Sequence, residues 1–224
     1  GLDALYTLTR ERDLSLWLGV KAKYWNGTNE QLDTETSDRE IRNLSLLSNV
    51  AWSNFADHYL KLEFMGGKVS LNNDADLAND KVSAKIAGGF VKMRANYFLN
   101  YPISERGTVA SSITAQLSNS NLESSEKLSM GGLIAIRAYP YGEALGDQGA
   151  VAQFEYRYQL SPQFQATAFY DAGYVQLNKN QWVPGSVNKF GLHGVGVSST
   201  WKLTSALSVK TIVAAKLGNN KGRI

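Results

Sequence analysis

Arg137 is a charged residue in the middle of an apolar run, and a buried guanidinium needs a carboxylate or a set of carbonyl groups as partner. Asp171 is a natural counterpart, because arginine and aspartate form a charge-assisted pair with two parallel hydrogen bonds. In the alternative, Asp171 pairs with a neighbouring cation such as Arg157 or Lys210, and Arg137 lies at the surface. The spacing of these residues leaves both arrangements open.

Arg137 lies in the segment 126–149, EKLSMGGLIAIRAYPYGEALGDQG, which separates two stretches of regular apolar and polar alternation. A connection of this length in a compact sheet protein is usually functional or disordered. Its apolar and aromatic residues, among them Leu133, Ile136 and Tyr139, argue against disorder. We therefore expect loop 126–149 to dock against the rest of the chain, whereas the acidic residues of the loops are interpreted as solvated.

The flanking segments alternate with a period of two, which predicts antiparallel β-strands. The pattern is clearest over 150–160, where Phe154 and Tyr156 share an apolar face. In the segment 164–175 the same alternation places Asp171 and Gly173 on the polar face. The polar faces of the strands carry more charge than a soluble β-sandwich would bury, and four of these residues are predicted to face a water-filled lumen: Lys92, Arg94, Glu155 and Arg157.

The connections alternate between short turns and long polar loops, with long loops predicted at 26–39 and 70–81 and a bulge predicted at Gly88-Gly89. Alternating faces and alternating loop lengths together predict an all-β fold, a transmembrane antiparallel β-barrel with long extracellular loops and short periplasmic turns. A soluble sandwich with an exposed polar face is the alternative. Aromatic residues at the short-turn ends are expected to form an interfacial girdle: Trp52, Tyr59, Tyr101, Tyr158 and Trp201.

Composition narrows the function further. The chain has 224 residues, a formal net charge of +3 and no cysteine, so disulfides and thiolate metal sites are excluded and a nucleic-acid-binding patch is not indicated. The two histidines, His58 and His193, are far apart in sequence, and we expect no metal site. We find no nucleophile elbow, P-loop or pair of catalytic acids, and we therefore expect no enzyme activity and no cofactor.

Several linked motifs follow one another along the second half of the chain: Glu126 to Gly132, Ile136 to Pro140, Gly142-Glu143, Gly146 to Gly149, Glu155 to Tyr158 and Phe169 to Gly173. In type and order these motifs resemble a known family, the two-partner secretion transporters that export haemolysins and filamentous haemagglutinins across Gram-negative outer membranes. These transporters are relatives of the barrel-assembly insertases.

The resemblance implies a 16-stranded barrel in which loop 126–149 folds into the lumen as a gate or lock. It also implies that Arg137 meets Asp171 there. The residues expected to form this lock are Arg137, Tyr139, Gly142, Glu143, Asp171 and Gly173. Ala138 stands where the family usually has glycine, and a positive φ at that position would strain alanine by about 1 kcal/mol.

The resemblance further implies that residues 1–224 form part of a barrel, with about ten strands present. The first strands, the closing strand and two periplasmic domains are expected to lie outside the chain. The expected function is export of a large β-helical exoprotein, a haemolysin or an adhesin, through a pore in the lipid bilayer of the outer membrane, with the lumen side chains hydrating the path. An insertase and a passive porin remain alternatives.

Overall fold

The computed structural model describes residues 1–31 and 34–218. Ten strands in these residues form one antiparallel sheet, and neighbours in the sheet follow the order of the chain except for two short strands that stand apart. The ten strands are β1 (Leu2–Arg10), β2 (Leu14–Gln31), β3 (Thr34–Ser53), β4 (Asp57–Leu71), β5 (Gly88–Pro102), β6 (Gly107–Ser118), β9 (Gln148–Ser161), β10 (Phe164–Gln176), β11 (Lys189–Lys202) and β12 (Ser208–Leu217). The short strands β7 (Leu128–Ser129) and β8 (Leu145–Gly146) pair with each other. The prediction of about ten antiparallel strands is confirmed.

The two faces of the sheet are inverted relative to a soluble protein. Large apolar side chains such as Leu44, Phe154 and Val213 are 59%, 43% and 64% exposed on the outer face. The opposite face carries buried polar and charged residues, including Lys92 and Asp171. An apolar exterior around a polar interior is typical of a barrel whose outside contacts lipid. In the described part of the chain, no helix has the length and apolarity needed to cross a membrane.

Two segments predicted as long loops are more ordered than expected. In the first, 26–39, β2 continues to Gln31 and β3 begins at Thr34, so the hairpin extends through this polar sequence; Leu32 and Asp33 lie outside the described residues. The second, 70–81, contains most of helix α1 (Asp74–Val82), whose first N–H groups are capped by the Asn73 side chain. A polar composition alone therefore does not distinguish a loop from a solvent-exposed hairpin or short helix.

The predicted bulge at Gly88-Gly89 is absent from the sheet. β5 begins at Gly88, and its pairing with β4 runs without a register shift from Val69 opposite Gly88 onward. Gly88 has a φ of +118°, which suits a residue that ends the preceding turn and starts a strand.

Tyr59 does not belong to the predicted outer girdle. It shares the inner face with Glu63, because both occupy odd positions of β4, and it lines the same inner cavity as Arg137. The apolar neighbours Leu60 and Phe64 take the outer face instead. The girdle prediction is therefore wrong at this position, because the alternation along β4, and not closeness to a turn, decides which face Tyr59 occupies.

An apolar cluster on the inner face marks the end of the sheet where the long loops lie. Ile41, Met65, Val69 and Phe90 line this cluster, and Leu122, 1% exposed, covers it from the connection between β6 and β9. That connection is the segment that carries Arg137. The first residues of this connection therefore pack against the wall on the N-terminal side of loop 126–149.

Candidate functional site

Loop 126–149 folds back across the inner face as a compact hairpin. The backbone N–H of Met130 donates to the Ala144 carbonyl at 3.0 Å, and that of Gly132 donates to Tyr139 at 2.9 Å. Gly131 lies so close to the opposite leg that a Cβ built on it would be 1.9 Å from the Pro140 carbonyl oxygen. The two legs of the loop are therefore held together by contacts within the loop as well as by contacts with the wall.

Arg137 and Asp171 form the pair that the sequence offered as one of two alternatives. The guanidinium donates from Nε to Oδ2 at 2.9 Å and from Nη2 to Oδ1 at 2.6 Å, and the backbone N–H of Arg137 donates to Oδ2 at 2.9 Å. Asp171 is 0% exposed, and the Arg137 side chain is 3% exposed. Parallel hydrogen bonds between two buried charges fix both the position and the orientation of the loop.

A second carboxylate and an aromatic ring complete the Arg137 site. Glu155 on β9 accepts from Arg137 Nη1 and is also bonded by Arg157 Nε at 2.7 Å. The Arg137 guanidinium carbon lies 3.6 Å from the ring centroid of Phe169, a cation–π contact in a site sheltered from water. Two carboxylates balance two guanidinium groups, of which Arg137 is buried and Arg157 is 39% exposed, so the network carries no net formal charge.

An apolar cluster surrounds this network and fastens the loop to β9, β10 and β11. It comprises Leu128, Met130, Ala135, Ile136, Tyr139, Ala144, Val151, Val175, Leu177 and Leu192. Burial of apolar surface stabilises by roughly 25 cal/mol per Å², and this cluster contributes a binding term that does not depend on charge. The ion pairs and the apolar contacts therefore hold the same stretch of loop together.

Glycines on the wall leave room for the loop tip. A Cβ on Gly173 would lie 2.5 Å from Met130 Cε and 2.8 Å from Ile136 Cδ1, and one on Gly194 would lie 2.8 Å from the Ala138 Cβ. Among the described residues other than glycine, only Lys85 has a positive φ, so the strain considered for Ala138 does not arise. Its methyl group instead fills the space that Gly194 leaves open.

Substituting Gly194 by alanine should weaken loop docking by about 1–3 kcal/mol, because the new methyl group meets that of Ala138. Ala138→Gly in the same chain should recover most of this loss by restoring the space. Protection of the loop against an external protease in outer membranes measures docking in both variants. If the loss of docking in the double variant equals the sum of the losses in the two single variants, the methyl of Ala138 does not complement Gly194.

The remaining predicted lock residues are not part of the Arg137 network. Tyr139 is 2% exposed, lies under Lys216 Nζ at 4.6 Å from its ring centroid, and has a hydroxyl without a hydrogen-bond partner among the described residues. Gly142, with a φ of +81°, and Glu143, which donates its N–H to the Pro140 carbonyl at 3.2 Å, shape the returning turn. These residues support the hairpin and leave the charge pairing to Arg137, Asp171 and Glu155.

The four residues predicted to face the lumen are on the inner face, but they do not simply hydrate a path. Lys92 is 4% exposed and is ion-paired with Glu126. Arg94 donates to Gln116 from Nε at 3.0 Å, while Glu155 and Arg157 belong to the Arg137 network. The docked loop supplies the Glu126 carboxylate to Lys92 and the Arg137 guanidinium to Glu155, whereas Arg94 and Arg157 pair with the wall residues Gln116 and Glu155.

The acidic residues of the loops are not all solvated, contrary to the sequence interpretation. Glu123, Glu126 and Asp147 are 4%, 3% and 0% exposed. Burial alone would raise the pKa of Glu123, but hydrogen bonds from Ser124 and Ser125, with the charge of Arg39, lower it overall. The Glu123 carboxylate therefore stays ionised at neutral pH. The two serines that follow it in the sequence are the signal that could have indicated a buried, hydrogen-bonded carboxylate.

Asp147 joins both legs of the loop to the neighbouring connection. It accepts from the Leu122 N–H at 3.0 Å and the Lys179 N–H at 2.7 Å, and Lys127 Nζ lies 3.0 Å from it. In the sequence, Asp147 follows Gly146 directly and is two positions before Gly149. This glycine-rich context is a weak indication that the carboxylate binds backbone N–H groups.

Asp147→Asn should loosen this junction by about 1.5–3 kcal/mol, because the amide group turns a donor toward a backbone N–H and loses the charge that attracts Lys127. The urea concentration at which loop protease protection is lost reports the change. Asp13→Asn, at an exposed carboxylate in a short turn, is the matched control. Equal midpoints for the two variants would show that the Asp147 charge is not needed.

Comparison with known proteins identifies the family and supports the architecture. The profile of the family described as haemolysin secretion/activation protein ShlB/FhaC/HecB matches residues 1–199. The heme/hemopexin transporter protein HuxB of Haemophilus influenzae strain 86-028NP is 27% identical over 236 residues, which cover 98% of this chain and 40% of HuxB. HuxB of H. influenzae strain KW20 is 31% identical over 115 residues, covering 48% of this chain and 20% of that protein.

Solved structures show the same fold. CdiB from Escherichia coli superposes with a TM-score of 0.81 at 20% identity, over 98% of this chain and 41% of CdiB. CdiB from Acinetobacter baumannii gives a TM-score of 0.73 at 13% identity, over 98% of this chain and 38% of that protein. The chain thus spans about two fifths of the length of these proteins.

The ten strands are part of a transmembrane β-barrel, as predicted from the alternation of their faces. Its location in the bacterial outer membrane, which the resemblance implied, is shown by the family. The resemblance read from the motifs is confirmed by the profile match over most of the chain. With a polar inner face, a docked loop and this match, the chain belongs to the ShlB/FhaC/HecB family of haemolysin secretion/activation proteins.

Proposed function

We propose that the full-length protein containing this chain is the outer-membrane pore of a two-partner secretion system, through which one partner protein passes from the periplasm to the cell surface. The observation that carries this proposal is the loop locked on the inner face by Arg137, Asp171 and Glu155. A passive channel needs only a wall, whereas a loop that is fixed by buried charges and can be released suits a pore that opens for a specific client. The matched family is described by secretion and activation, which favours export over insertion of membrane proteins.

The partner is proposed to be a large secreted exoprotein of β-helical architecture, such as a haemolysin or an adhesin. The pore acts as a conduit and not as an enzyme. Since the periplasm contains no ATP, folding of the exoprotein outside the cell would draw the extended chain outward.

Export in a strain that lacks both proteins tests the proposal. A large exoprotein encoded beside the full-length pore protein is the candidate partner to search for, and it is expected in the medium only when the pore protein is also present. An unrelated outer-membrane porin, expressed at the same level, is the control. Ion and sugar flux without any dependence of partner release on the pore protein would favour a passive porin instead.

A further inference from the structure

Glu126, at the start of loop 126–149, makes a second set of contacts with the wall. It is 3% exposed and pairs with Lys92, whose Nζ also donates to the Glu126 carbonyl oxygen at 2.9 Å. Asn43 Nδ2 donates to its Oε1 at 3.3 Å, Lys23 Nζ lies 3.6 Å from the same oxygen, and Gln116 Nε2 donates to the Glu126 carbonyl at 3.2 Å. Both the side chain and the backbone of one loop residue are therefore held.

The strands that hold Glu126 are not those that hold Arg137. Glu126 contacts β2, β3, β5 and β6, which precede the loop in the sheet. Arg137 contacts β9 and β10, which follow it. The loop is consequently fastened to the wall on both sides of its point of insertion, once at its base and once at its tip.

The two sets of contacts share no ionisable partner. Glu126 is paired with lysines, and Arg137 is paired with carboxylates. Removing one member of a buried ion pair leaves the other charge without a partner. Breaking either set of contacts is therefore strongly destabilising. Sites without shared partners lose stability additively, which predicts that tip and base are released independently.

We propose that Glu126 and Lys92 form a second latch, a positioning pair that keeps the base of the loop on the wall while the tip, held by Arg137, is released. Opening then proceeds as a swing of residues 128–146 about an anchored base. This assignment deepens the proposed function, since it concerns the same loop. Its structural content does not depend on whether a partner protein is exported.

Distances between spin labels in a cysteine-free form of the full-length protein test the latch. A label at Ser124 paired with one at Leu46 reports the base, and a label at Ile134 paired with one at Val197 reports the tip; all four side chains are exposed. Glu126→Ala is expected to shift and broaden the base distance and to leave the tip distance unchanged. Asp171→Ala is expected to do the reverse.

Lys92→Met provides a second variant on the wall side and keeps most of the side-chain volume. It should reproduce the base shift of Glu126→Ala, and the double variant should add little to either single variant, because both remove the same pair. Glu105→Gln, at an exposed carboxylate in a short turn, is the control and should change neither distance. Heat-modifiable gel migration establishes that each barrel is folded.

Movement of both distances in Glu126→Ala, or of neither, would overturn the two-latch arrangement. Additive base shifts in Lys92→Met and Glu126→Ala would overturn the assignment of the pair. Export of the partner, measured in the same strains, separates this inference from the proposed function. Label distances that behave as expected in a protein that exports nothing would leave the latch in place and remove the export function.

Discussion

Replacing Asp171 by alanine in the full-length protein is expected to raise the population of the released loop tip by about 10²- to 4 × 10³-fold. Asp171 is 0% exposed and accepts three hydrogen bonds from Arg137. Its removal leaves a buried guanidinium with Glu155 as its remaining acidic partner. Breaking such a pair costs about 3–5 kcal/mol, and each 1.4 kcal/mol is a factor of ten in the equilibrium.

Single-channel recording in planar bilayers measures this change. The variant should show more frequent and longer open events than the unmodified protein at the same voltage. Glu63→Ala is the matched control, since Glu63 is a buried carboxylate of the inner wall whose ion-pair partner, Lys21 at 3.9 Å, is not in the loop. Indistinguishable traces for Asp171→Ala and the unmodified protein would remove the pair from the gating mechanism.

Gly131→Ala is expected to prevent the loop from folding as a hairpin while the barrel stays intact. The added Cβ would lie 1.9 Å from the Pro140 carbonyl oxygen and 2.9 Å from its carbon, and neither backbone atom is at the end of a flexible side chain. An added methyl group in a closely packed structure destabilises it by about 1–3 kcal/mol when the neighbouring atoms can shift. Because the neighbour here is backbone, we expect a destabilisation of about 3 kcal/mol or more. Both legs of the loop should separate as a result.

Treating intact cells with an external protease distinguishes unfolding of the loop hairpin from unfolding of the barrel. Gly131→Ala should expose the loop to cleavage, and heat-modifiable migration of the barrel should be retained. Gly66→Ala is the control, because a Cβ at Gly66 meets nothing within 4 Å. Full protection of the Gly131→Ala loop would mean that the two legs do not approach each other as closely as these atoms indicate.

The wall of the barrel was largely readable from the sequence, because a period of two makes both the strand and its face explicit. The same rule placed Asp171 beside Phe169 and Gly173 on the polar face, where all three lie against the loop. Tyr59 obeys the same rule and lines the inner cavity, so closeness to a turn alone does not place an aromatic residue in the girdle. Strand continuation through 26–31 was missed, since a polar hairpin in water has no apolar face to reveal it.

The partners of the loop were only partly predictable. Arg137 stood out because a charge in an apolar run demands a partner, but the choice between Asp171 and a surface position depended on the path of the loop. Glu126 carries no such signal, because an acid near the end of a loop is usually solvated, and Asp147 is marked only by the glycines near it. Their burial follows from contacts with Lys92 and Lys179, which are distant in sequence and meet them only after the loop has docked.

The reactivity of two cysteines, placed one at a time in a cysteine-free form of the full-length protein, tests most directly whether the loop lies on the inner face. Ile136 is 0% exposed against the wall, and Ile134, two positions away on the same loop, is 84% exposed. With a small thiol reagent, Ile136→Cys should react at least about a hundredfold more slowly than Ile134→Cys, as docking by about 3 kcal/mol or more requires. Asp171→Ala should narrow the difference, whereas equal and rapid labelling at both positions without that substitution would show that Arg137 and its loop are free in solvent.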